Sequence, residues 1–73
     1  MKQYRNITMY GVKKLLRQIR KFHRLNDPEI AHSREDELFQ KVLKAIANGV
    51  DNPQELAKEA LKSTKLDFPR WCS

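Results

Sequence analysis

The stretch Val12-Lys13-Lys14-Leu15-Leu16-Arg17-Gln18-Ile19-Arg20-Lys21-Phe22-His23-Arg24 decides the fold, because two patterns run through it at once. Val12, Leu15, Leu16, Ile19, Phe22 and His23 recur at spacings of three and four, the signature of a helix with one buried face. At about 100° per residue these positions span an arc of roughly 120°. Lys13, Lys14, Arg17, Arg20, Lys21 and Arg24 fall in a separate arc of about the same width, a basic stripe beside the apolar one. The pattern predicts a helix over residues 8–25, with Gly11 inside it costing about 1 kcal/mol relative to alanine.

Charge is distributed as unevenly as hydrophobicity. Residues 1–26 carry eight Lys/Arg and no acid, whereas residues 27–73 carry seven Lys/Arg against nine Asp/Glu. The two parts therefore stand at +8 and −2 within a chain whose net charge is +6. Such a division suits a binding surface better than a catalytic one. Seventy-three residues build one thin core. A shielded active site would compete with that core for the same apolar side chains, so the expectation is a single non-enzymatic domain.

Downstream, Asn26-Asp27-Pro28 and the segment from Asn48-Gly49 to Pro53 punctuate the chain. Asp27 with Pro28 offers a cap and a proline first residue, and Ser33-Arg34-Glu35-Asp36 offers a second capping signal. The reading is a short lead-in turn at 28–31 and a main helix over 33–48, with Leu38, Phe39, Val42, Leu43 and Ile46 buried and Gly49 ending it. Asn52, Pro53 and Glu55 then cap a third helix over 53–63 whose core stripe is Leu56, Ala57, Ala60 and Leu61. The tail, 64–73, holds Phe68 and Trp71, which are expected to pack back over the helices as a lid. The predicted fold class is all-α, a small three-helix domain.

Residues 42–57, an apolar helix ending at Ala47-Asn48-Gly49 followed by a capped turn and Glu55-Leu56-Ala57, resemble the first half of a helix-turn-helix, as in winged-helix regulators. That resemblance implies a recognition helix after Leu61, but Pro69 breaks the chain early. Either residues 53–62 themselves read DNA or the stretch is a helical hairpin. The mixed signs of Gln54, Lys58, Glu59 and Lys62 favour the hairpin.

Other chemistry finds little support. His32 could reach Glu35 and Asp36 at helical spacing, yet the paired ligand spacings of zinc sites are absent, so these acids are read as stabilising a helix N-terminus and His32 as packing or capping at its rim. His23 reads as a core histidine. No nucleophilic triad and no glycine-rich phosphate loop occur, and no cofactor is expected. Phe68, Arg70 and Trp71 together suit either a docked tail or a base-stacking platform, with the docked tail preferred. The single cysteine, Cys72, allows no intramolecular disulfide and fits the cytoplasm. Neither a signal peptide nor an apolar run of membrane-spanning length is recognised.

The expected function is a small regulatory or accessory binding module that docks a polyanion through Lys13, Lys14, Arg17, Arg20, Lys21 and Arg24. Nucleic acid leads as partner, and an adaptor role against an acidic protein surface is the alternative. Specific DNA binding by so small a domain calls for a dimer or a larger partner, and the second and third helices could supply such an interface. Size and basic composition alone associate the chain with small bacterial or phage-borne regulators.

Overall fold

The computed structural model describes residues 5–70; Trp71 and Cys72 lie outside them. Three α-helices and one short 3-10 segment make up the described chain, and no strand occurs in it. Helix α1 spans Met9–Arg24, α2 spans Pro28–Ala47, α3 spans Pro53–Ala60, and the 3-10 turn covers Leu61–Lys65. Helix α1 packs along α2, and α3 closes against both.

Each helix begins and ends for a local reason. The Thr8 hydroxyl accepts the Gly11 amide at 3.3 Å, and the Asp27 carboxylate accepts that of Ile30 at 3.4 Å with Pro28 in the first turn. Both long helices then stop the same way. After α1, Asn26 takes a left-handed conformation (φ 58°), its N–H bonding to His23 O and that of Asp27 to Phe22 O. After α2, Gly49 does so (φ 79°), its N–H bonding to Ile46 O and that of Val50 to Ala45 O. Gly11 has a different purpose: a Cβ there would stand 2.9 Å from Ile7 Cγ1, so the missing side chain seats Ile7 against the first turn.

The core takes Val12, Leu15, Leu16 and Ile19 from α1, Ala31, Leu38, Val42 and Ala45 from α2, Leu56 and Ala60 from α3, and Phe68 from the C-terminal segment. His23 is half-buried with its ring 5.9 Å from that of Phe68.

Three expectations are corrected. The second helix is continuous from Pro28: Asp27 caps it, Ala31 is fully buried in its first turns, and Ser33 lies exposed within it. Its inward face carries Ala31, Glu35, Leu38, Val42 and Ala45 at spacings of four and three, so Leu43 and Ile46, one residue beyond Val42 and Ala45, turn outward. The third helix gives way to the 3-10 turn at Leu61, which is also exposed, and Asn52 caps α3 by position only, without a side-chain hydrogen bond.

Glu35 is the one buried charge among the described residues, 3% exposed, and it is fully partnered. Ser63 Oγ donates to its Oε2 at 2.7 Å. Arg70 grips both oxygens, Nε to Oε1 at 2.8 Å and Nη2 to Oε2 at 3.1 Å. The same Nη2 donates to the carbonyls of Ser63 and Leu66 at 3.0 Å each, and the guanidinium lies 3.9 Å from the Phe68 ring centre. This cluster ties the chain after α3 to the middle of α2. Burial pushes the Glu35 carboxyl up, but the bonds from Arg70 and Ser63, with the charges of Arg70 and His32, outweigh it and hold the group below its ordinary value.

Two outcomes follow. Gly49→Ala should lower the unfolding free energy by about 1–2 kcal/mol in urea denaturation. Nothing lies within 4 Å of the added methyl, so the loss would be purely conformational, and an unchanged midpoint would contradict the left-handed turn. Glu35→Gln should cost about 1–3 kcal/mol at neutral pH by removing a charged acceptor. Because the folded carboxyl titrates below the unfolded one, its stabilisation is complete above about pH 4.3 and is lost as pH falls through the folded value. The gap between wild type and variant should therefore close in acid; a gap independent of pH would show that the carboxylate charge contributes nothing.

Candidate polyanion interface

The apolar arc of α1 is buried, which turns the opposite side of the helix to solvent. Lys13, Lys14, Arg17, Arg20, Lys21 and Arg24 all stand exposed there. From Lys13 to Arg24 the stripe runs for about 16 Å at 1.5 Å per residue. Duplex DNA carries about ten phosphate charges over that length.

None of the six has a carboxylate partner among the described residues. The ion pairs lie elsewhere: His32 with Asp36, Arg34 and Lys41 with Glu37, Lys62 with Glu59, and Arg70 with Glu35. Helix α1 contains no acid, so its own surface cannot neutralise the stripe. Like charges at spacings of three and four, such as Lys13 with Arg17 and Arg17 with Lys21, cost a few tenths of a kcal/mol each. Two members have an evident structural use. Lys21 and Arg24 sit in the last turn, where the helix dipole favours cations, and the Lys21 ammonium lies 5.7 Å from the Phe22 ring centre. Among the described residues, Lys13, Lys14, Arg17 and Arg20 have no such intramolecular role.

Sequence reasoning passed over Tyr10, 70% exposed. It stands three, four and seven residues before Lys13, Lys14 and Arg17, and so heads the same stripe. That spacing was readable. Less readable is the extension across the fold. A groove between α1 and α2 is lined by Tyr10, Lys14 and Gln18 on one side and Arg34, Glu37 and Lys41 on the other. A second groove shares Lys41 and continues to Lys44, Asn48 and Arg5. The Asn48 side-chain amide donates to Asn6 Oδ1 at 2.9 Å, fastening the segment that brings Arg5 there. Arg5 and Lys44 also lack carboxylate partners among the described residues.

The second sequence candidate resolves differently. His32 Nε2 lies 3.4 Å from Asp36 Oδ1, while Glu35 points away into the core. Glu35 and Asp36 stand two turns into α2, beyond the reach of its N-terminal dipole. No group of three or more His, Cys, Asp or Glu able to hold a metal ion occurs among the described residues. Nor does any further α-helix follow α3 among them: the 3-10 turn leads into extended chain at Leu66. Outside α1, the described residues include no helix long and apolar enough to cross a membrane, and α1 itself is not one either.

Comparison of the chain with protein-family models, with curated proteins and with solved structures returns no match.

Proposed function

We propose that this domain is a non-enzymatic regulatory or accessory module that docks a polyanion, nucleic acid foremost, on the outer face of α1. The observation that carries the reading is the run of six outward cations over about 16 Å with no carboxylate within 4.0 Å among the described residues. Phosphates brought to this face would release their condensed counterions and relieve the like-charge crowding along the helix. Arg17, Arg20 and Arg24 supply planar forks for bidentate phosphate contacts, and Lys13, Lys14 and Lys21 supply point charges. Tyr10 stands where it would stack on an unpaired base at the end of the stripe. Its single cysteine suits work in a reducing cytoplasm.

The test is binding to a random-sequence duplex and to a single strand at several salt concentrations. Six phosphate contacts predict a log–log salt slope near −5 on duplex. The triple reversal Arg17→Glu, Arg20→Glu, Lys21→Glu should flatten that slope by about three and weaken binding at low salt, with the circular dichroism spectrum unchanged. A folded wild-type protein that binds neither nucleic acid at low salt would overturn the reading and leave the stripe to an acidic protein surface.

A further inference from the structure

The turning of α2 that carries Glu35 inward leaves a second surface uncovered. Leu43 is 65% exposed, Leu61 56% and Ile46 38%. Together with Phe39, Val42, Ala57 and Ala60 they line a groove between α2 and the end of α3 in which every lining residue is apolar. None of that lining comes from α1.

We propose that this groove is a homodimer interface whose occupant is the same groove of a second copy of the chain. Two observations select a second copy. The patch offers both halves of a self-complementary fit: Leu43 and Leu61 project from it, and the small side chains of Ala57 and Ala60 leave hollows beside them. A two-fold interface requires one patch to present both shapes. Next, the flanking positions on the same elements are mixed in sign, although Lys65 adds a cation at the end of the 3-10 turn. Asp36 and Lys58 are of opposite sign, Lys62 is paired with Glu59 at 3.0 Å, and Gln40 and Gln54 are neutral. A chain of net charge +6 can meet its own copy here because the excess charge lies on α1, away from the groove.

The pairing stands on these observations and not on the polyanion reading, though it would serve it. Both basic stripes remain uncovered in such a dimer, so one assembly would present two α1 faces to a single polyanion.

Analytical ultracentrifugation of the full chain from micromolar to millimolar concentration tests the proposal, with reductant present so that Cys72 cannot link chains. The expected result is reversible association to twice the 8.7 kDa chain mass, maintained at high salt because the contact is apolar. Leu43→Glu and Leu61→Glu, both on exposed side chains, should each weaken association at least tenfold while leaving the helical circular dichroism intact. The triple reversal on α1 should leave association unimpaired, which separates this proposal from the polyanion reading. A wild-type chain that stays at monomer mass at millimolar concentration overturns it, as does a dimer indifferent to both leucine substitutions.

Discussion

The carboxylate of Glu35 sets the geometry of the rest. Its two oxygens are engaged by Ser63 and Arg70, and those bonds exist only if α2 is turned so that Glu35 faces inward. With that turn fixed, Ala31, Leu38, Val42 and Ala45 share the inward face, and Leu43 and Ile46 cannot. The cluster also draws the chain after α3 back across the bundle and seats Phe68 against the core. A buried ion pair adds less to stability than an apolar substitute of equal volume often would. Its bonds are made in one rotation of α2, the one that turns Glu35 inward.

That dependence explains what the sequence made legible. Helix α1 was readable because its apolar and basic residues fall in two clean arcs: the basic arc is exposed throughout, and the apolar arc is buried from Val12 to Ile19 and half-buried at Phe22 and His23. The three-helix architecture followed from proline and capping residues that act locally, at Asp27-Pro28, Gly49 and Pro53. Helix α2 was misread where a local signal imitated a start: Ser33-Arg34-Glu35-Asp36 has the form of a cap, yet Glu35 answers to partners 28 and 35 residues away. No local pattern contains that information. The preference for large apolar side chains then placed Leu43 and Ile46 inside, where the structure puts the smaller Ala31 and Ala45. In the candidate interface, the six cations of α1 were legible from spacing alone. Arg5 and Lys44 were not, because the fold brings them to one groove across nearly forty positions.

A domain this small gives most of its elements two duties. Helix α1 supplies four core residues on one side and an unneutralised row of cations on the other. Its helical form is held by burial against α2 and α3, since its own charge pattern opposes it. Helix α2 supplies core on one side and half of an apolar groove on another. The two outward surfaces differ in chemistry: the basic one centres on α1, and the apolar one lies between α2 and the end of α3.

The short connections between helices carry a kinetic consequence. Only a few residues separate α1 from α2 and α2 from α3, so bringing the helices together closes small loops at low entropic cost. The bonds from Ser63 and Arg70 to Glu35 must close loops several times longer. The helices can therefore assemble before the C-terminal segment docks. When it opens, Phe68 loses its seat and Glu35 is left in the core without its cation. The order of events at this one carboxylate would then govern how often the native molecule exposes its interior.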